Sequence, residues 1–180
     1  YTISGSDAGN YSAPANETVS NGGAISALGL SQSGGSATSR VYNGGTSAAI
    51  TGETLSGVVG SDDVSLSGTF ADKAVGNGKT VTFTLSGDDA SNYSISGTTT
   101  ANITAKTANI TGTSAGNKSY DGATSATVSA GSITAGDIES GDTLNIASTS
   151  GVFANKNVGP GKSVTVTYTL GGADAANYTA

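Results

Sequence analysis

The 180-residue sequence has no cysteine, no histidine, no methionine and no tryptophan, and only two prolines. Without cysteine there is no disulfide framework and no thiol nucleophile, and without histidine the usual imidazole acid-base catalysis and most transition-metal ligation are lost. A chain free of easily oxidised sulfur tolerates oxidising surroundings, although that alone does not place it outside a cell. Without methionine the sequence is not expected to be a complete primary translation product starting at residue 1. It reads as a processed piece or a segment of something longer, with any signal peptide or anchor lying elsewhere. Charge is sparse as well: seven basic residues against thirteen acidic give a net charge of -6, and the basic ones are scattered. No cationic stripe is available to neutralise phosphates or anionic lipids, so nucleic acid is not an expected partner. No apolar run approaches the roughly 20 residues that span a bilayer as a helix, so membrane insertion by this segment is not expected.

What is present is mostly Ser, Thr, Gly and Asn set among Val, Ile, Leu and Ala, a composition that favours strands and turns over helices. About a third of the residues are apolar (35%), enough to bury a core in one or two domains. The strongest signal is internal repetition. "SGSDAGNYSA" from Ser4, "SGDDASNYSI" from Ser86 and "GGADAANYTA" from Gly171 are versions of one motif, with Tyr11, Tyr93 and Tyr178 spaced 82 and 85 residues apart. "RVYNGGTSAAITG" from Arg40 matches "KSYDGATSATVSA" from Lys118, and "TFADKAVGNGKTVTFTL" from Thr69 matches "VFANKNVGPGKSVTVTYTL" from Val152. This period is domain-sized. A solenoid would repeat at about 20 to 50 residues, so the expected arrangement is tandem beads rather than a stacked coil.

Every aromatic sits at a repeat-equivalent position: Tyr1 with Phe83 and Tyr168, Tyr11 with Tyr93 and Tyr178, Tyr42 with Tyr120, and Phe70 with Phe153. Arg40 pairs in the same way with Lys118, Lys73 with Lys156 and Lys79 with Lys162, which leaves Lys106 alone. A site used once would not repeat like this. The expected domain plan is a remnant of a preceding repeat over 1–18, a first repeat over 19–106, and a second over 107–180 that lacks its closing strand.

Each bead is expected to be all-β and antiparallel, most economically an immunoglobulin-like sandwich of about seven strands, with a β-grasp-like bead as the alternative. "KTVTFTLS" alternates Val81, Phe83 and Leu85 with threonines, the period of a half-buried strand, and "KSVTVTYTL" does the same. Val64, Leu66 and Phe70 suggest another strand. Gly97 is expected to turn a hairpin between "NYSIS" and "TTTANIT", and the Gly-rich runs at Gly76 and Gly159 to precede the strongest strands. The recurring motif then resembles a tyrosine corner. Asp89 is expected to accept backbone N–H groups in its own turn, Asn92 to tolerate a tight backbone, and Tyr93 to bury its ring with its hydroxyl on a main-chain group. Asp7 with Tyr11, and Asp174 with Tyr178, take the same parts.

Chemistry is weighed against that architecture. Asp89 and Asn92 are the calcium candidates, but two recurring ligands fall short of the six to eight that calcium takes, and a turn cap is the preferred role. A Ser-Lys hydrolase at Lys73 or Lys79 has neither a G-x-S-x-G elbow nor an S-x-x-K motif behind it. The repeated lysines also raise a Lys-Asn crosslink, against which a solvated edge lysine is preferred. No cofactor and no enzymatic activity are expected. Asn-x-Ser/Thr occurs at Asn10, Asn16, Asn92, Asn102, Asn109, Asn117 and Asn177, which permits glycosylation.

With "VYNGGT" and "SYDGAT" each followed by "FADKAVGNGKTVTFTLSGDDASNY" or its counterpart, residues 40 to 180 resemble the YDG/MBG-type repeats of large bacterial surface exoproteins, including filamentous-haemagglutinin-like adhesins. Asn43 departs from the usual aspartate, and residues 14 to 39 are atypical. The resemblance implies an extracellular or cell-surface location and a stalk or extender role, with neighbouring repeats as the main partners. It supplies no catalytic residues. A filament subunit in which a strand from one bead completes the next is a variant of that role. An adhesive module for glycan or a host or abiotic surface is the alternative.

Overall fold

The computed structural model describes residues 2–12 and 23–180. The remnant expected over 1–18 therefore lies partly outside the described residues. The described chain is all-β: twenty short strands and four single turns of 3-10 helix, with no longer helix. The residues that resist helix are the β-branched and glycine-rich runs noted above. Among the described residues no helix is long and apolar enough to cross a membrane.

The first repeat is built on a five-stranded sheet. Its order is Arg40–Val41, Thr98–Thr104, Gly76–Ser86, Ser65–Phe70 and Ser47–Ala48. In the long central strand the threonines at 80 and 82 face solvent while Val81 and Phe83 are buried, as the alternation requires. A ribbon formed by residues 31 to 37 against residues 50 to 56 supplies further short antiparallel pairs. Ala37 and Ile50 of that ribbon pack on the core. Gly68 permits this close approach, since a Cβ there would meet Val81 at 2.6 Å and Ile50 at 2.8 Å. Gly151 holds the same place against Val128 and Val164.

Pairing is mixed rather than purely antiparallel. Leu28–Gly29 runs parallel to Tyr93–Ser94, Arg40–Val41 parallel to Ile103 and Thr104, and Lys106–Thr107 parallel to Tyr178–Thr179. The first of these also corrects the expected hairpin at Gly97. Tyr93–Ser94 pairs with the start of the repeat, while Thr98–Thr104 crosses to the long strand. The backbone of Gly97 (φ +132°) lies so close to Phe83 that any Cβ would come within 2.9 Å of the ring, and its carbonyl accepts the Phe83 N–H. Gly76, Asn77 and Gly78 are not a turn ahead of the strand but its first residues, drawn in by Ile103 pairing with Gly76 across a bulge.

The second repeat keeps the central hairpin, Asn145–Phe153 with Val164–Gly171, and adds Ser125–Ala126. Among the described residues, Val164–Gly171 is paired on one side only, where its counterpart in the first repeat is paired on both. Gly159, Pro160 and Gly161 stay outside the strand.

The beads are not independent. One hydrophobic cluster joins Tyr42, Phe70, Val81 and Ile103 of the first repeat to Ala108 and Tyr178 of the second.

Candidate functional site

The recurring motif is shaped first by its glycine. Gly87 has φ +112°, and a Cβ there would overlap the Asp63 carbonyl; Gly172, at φ +106°, sits likewise on Thr143. A single 3-10 turn follows, Ala90–Asn92 or Ala175–Asn177. Its own amides are taken by backbone carbonyls, Ala90 N–H by Gly87 and Asn92 N–H by Asp89. The Asp89 carboxylate therefore reaches elsewhere than its own turn. Its Oδ2 accepts the N–H of Asp63 at 2.9 Å, 26 residues earlier, and Asp174 Oδ2 accepts that of Thr143 at 2.9 Å. Each aspartate ties the motif to the start of the strand that precedes it in the sheet. Replacing Asp89 by Ala is expected to lower stability by about 1 kcal/mol, one hydrogen bond to a charged acceptor near solvent, read as a shift in the urea midpoint.

Tyr93 is 8% exposed. Its hydroxyl accepts the Val59 N–H at 3.0 Å and donates to Asp62 Oδ2 at 2.6 Å. Tyr178 repeats both contacts, accepting from the Glu139 N–H at 2.9 Å and donating to Asp142 Oδ2 at 2.7 Å. The first copy of the motif differs. Its 3-10 turn, Ala8–Asn10, is formed, but the Asp7 carboxylate accepts only from the Ser6 hydroxyl among the described residues, and Tyr11 is 71% exposed.

The structure brings the two Tyr families together at one place, the joint between repeats. The Tyr42 hydroxyl donates to Asp142 Oδ2 at 2.7 Å, and the Lys73 ammonium donates to Asp142 Oδ1 at 2.9 Å. Asp142 thus collects two phenols and an ammonium, and its side chain is wholly buried while that of Lys73 is 44% exposed. The rings of Tyr42 and Tyr178 meet edge to face, centroids 5.5 Å apart at 73°. Asn177, buried, accepts the Val75 N–H at 3.0 Å. Buried and engaged, Asn177 is no surface glycosylation acceptor in this fold. Lys106, without a counterpart lysine in the first repeat, pairs with Glu139 at 2.7 Å; the matching positions there are Leu28 and Val59.

The loops that present Tyr42 and Lys73 hold themselves. Asn43 Oδ1 accepts from the Gly45 N–H and from the Arg40 guanidinium, which also caps the Gly45 carbonyl. Asp72 Oδ1 accepts from the Ala74 N–H and from Lys79. Asp72 is accordingly held below the usual carboxylate range, chiefly by Lys79. In the second repeat Asp121 accepts from the Ala123 N–H and Lys118, and Asn155 from the Asn157 N–H and Lys162. Asn43 standing where the motif has aspartate is thereby explained: an amide oxygen meets the same two donors.

Electrostatics at the joint are set by Asp142. Burial works to raise its carboxyl, but the donors Lys73, Tyr42 and Tyr178 outweigh it and leave it below the ordinary value. Lys73 is raised, first by its bond to Asp142. Tyr42 is raised by burial and then by the same carboxylate, and Tyr178 is pushed up to about 12 by burial foremost. Tyr93 is raised by its bond to Asp62.

The arrangement is a clamp between modules. Lys73, expected as a solvated edge lysine, is instead an interface donor because Asp142 of the next repeat lies within its reach. Lys79 pairs within its own loop with Asp72. Tyr120, the counterpart of Tyr42, is 63% exposed against 1%. Among the described residues no three acidic, His or Cys side chains converge as a metal site. Sequence reasoning did not single out Asp142. Its only sequence signal is that "GDT" before Leu144 and "SDDV" before Leu66 align once short insertions are allowed.

Comparison with known proteins places the YDG domain on residues 27–101 and again on 104–180. No curated protein and no solved structure matches the chain.

Proposed function

Because the chain belongs to the YDG domain family, as two copies in tandem, we propose that it is a structural repeat module of a bacterial extracellular surface protein, extending a stalk or building a filament. The observation that carries this reading is the joint: a buried carboxylate from one repeat is shared by a lysine and a tyrosine of the other, inside a common apolar cluster. Repeats linked only by a flexible connection would project a distance growing as the square root of their number, whereas clamped repeats add length one by one. The resemblance to exoprotein repeats supports the surface location.

An adhesive role for glycan or a surface has one observation in its favour, a groove of about 560 Å³ on the second repeat lined by Tyr120, Phe153, Lys156 and Val164 among others. Small-angle scattering on chains carrying increasing numbers of these repeats distinguishes the readings. The maximum dimension is expected to rise in equal steps with each added repeat. A radius of gyration growing as for a single compact globule would overturn the extender role.

A further inference from the structure

The sequence holds three Asn-Gly pairs, Asn21–Gly22, Asn43–Gly44 and Asn77–Gly78, the first of them outside the described residues. In such a pair the backbone nitrogen of glycine can attack the side-chain amide before it, because no Cβ obstructs the approach. The two described pairs are held differently. Asn77 lies in the strand Gly76–Ser86, and the Gly78 N–H donates to Asn102 Oδ1 at 2.7 Å. Asn43 lies in an exposed loop, and no described group accepts the Gly44 N–H. Asn43 Oδ1 itself accepts from the Gly45 N–H at 3.1 Å and from the Arg40 guanidinium. The bond to Gly45 closes a ring of atoms that contains both the Asn43 Cγ and the Gly44 nitrogen.

We infer that Asn43 is a site of self-modification, at which the folded chain deamidates its own side chain. The Gly44 nitrogen bonds to the Asn43 Cγ and gives its proton to water. The Cγ–Nδ2 bond breaks, and Nδ2 takes up a proton and leaves as ammonia, which closes a succinimide. Water then opens that ring. Attack at Cγ restores the normal peptide as aspartate, and attack at the main-chain carbonyl leaves isoaspartate. Negative charge gathers on Oδ1 as the nitrogen adds, so the Gly45 amide and the Arg40 guanidinium, already aimed at that atom, bind the transition state more tightly than the resting amide. The held loop also keeps the two reacting atoms together. The aspartate product meets the same two donors, as Asp121 meets the Ala123 N–H and Lys118 in the second repeat. Isoaspartate instead inserts a methylene into the backbone between Tyr42 and Gly44. Both neighbours touch the second repeat: the Tyr42 hydroxyl donates to Asp142, and a Cβ on Gly44 would lie 3.4 Å from the Glu139 Cβ.

Peptide mass spectrometry over time tests this, on the folded chain at mildly alkaline pH and on the same chain in guanidinium chloride. Unfolded, Asn21 and Asn43 share the sequence Asn-Gly-Gly and are expected to react alike. Folded, Asn43 is expected to react at least as fast as it does unfolded, while Asn77 slows by more than about tenfold inside its strand. Arg40→Met removes one donor from Oδ1, and the rate at Asn43 is expected to fall by about tenfold or more. A slow Asn77 in that variant shows that its fold is kept. Asn43 reacting more slowly folded than unfolded overturns the inference, and that comparison needs no variant. So does an Asn43 rate that Arg40→Met leaves unchanged in a chain whose Asn77 stays slow. The two products, separated by ion exchange, extend the test to the joint. The aspartate form is expected to keep the urea midpoint of the unmodified chain and the isoaspartate form to fall below it. Equal midpoints would overturn the coupling of this site to the joint.

Discussion

Replacing Tyr42 by alanine is expected to lower stability by about 3 to 5 kcal/mol, the usual cost of emptying an aromatic site in a core. The same change at Tyr120 is expected to shift it by no more than about 0.5 kcal/mol. The two tyrosines occupy one position of the repeat, yet one is 1% exposed and the other 63%. What separates them is neighbours. Tyr42 is covered by the Tyr178 ring, and its amide is bonded to the Thr104 carbonyl of the closing strand. Truncating it empties a space bounded by two repeats and leaves Asp142 short of one donor. Urea unfolding of the two variants beside wild type measures both costs. Equal costs would show that the repeats do not share a core.

The second large effect lies at Asp142. Asp142→Ala leaves the buried hydroxyls of Tyr42 and Tyr178 without their acceptor. Since the half-exposed Lys73 turns to water, the expected loss is about 2 to 3 kcal/mol, at the low end for a broken buried pair. The same substitution at Asp62 removes an acceptor from Tyr93 alone and is expected to cost less. The joint should also be pH-dependent. The folded carboxyl of Asp142 titrates below its ordinary value, so the unfolded chain takes up protons first as pH falls. The contribution is present in full above about pH 4, near the reference value of aspartate, and is lost on acidification through the lowered folded value. Tyr178 acts in the opposite direction. Raised to about 12, it contributes fully below about pH 10, the reference for tyrosine, and its share is lost as pH climbs through the raised value. Stability of wild type and Asp142→Asn measured from acid to neutral pH checks the first limb. A pH dependence unchanged by the substitution would assign the acid sensitivity to other carboxylates.

The all-β class and the strand from Lys79 to Ser86 were legible because period-two alternation needs no partner to be recognised: Val81 and Phe83 face inward whatever lies on them. The burial of Tyr93 was legible too, because a motif that recurs with its tyrosine is a motif of packing. Asp89 shows where local reading stops. A short side chain next to a turn suggests that turn as its partner, yet the turn's amides were already satisfied by backbone and the nearest free N–H belonged to Asp63. The parallel pairs and the crossing at Gly97 depend on where the chain returns from, which no local pattern encodes. The joint was hidden for a related reason. Repetition marks Tyr42, Lys73 and Tyr178 as equivalent to residues elsewhere but does not say which of them touch. The insertions between blocks shift Asp142 out of register with Asp62.

The parallel pairing described above also sets an expectation for how this chain meets a pull. At two places in the first repeat a short strand leading in, Leu28–Gly29 and then Arg40–Val41, runs parallel to one leading out, Tyr93–Ser94 and then Ile103 with Thr104. A load drawn along the polypeptide slides these strands past each other lengthwise, so their hydrogen bonds are stressed together in shear rather than peeled open singly. The second repeat begins the same pattern with Lys106–Thr107 beside Tyr178–Thr179. These parallel pairs are expected to carry most of the resistance of each repeat to such a load, close to where the joint lies.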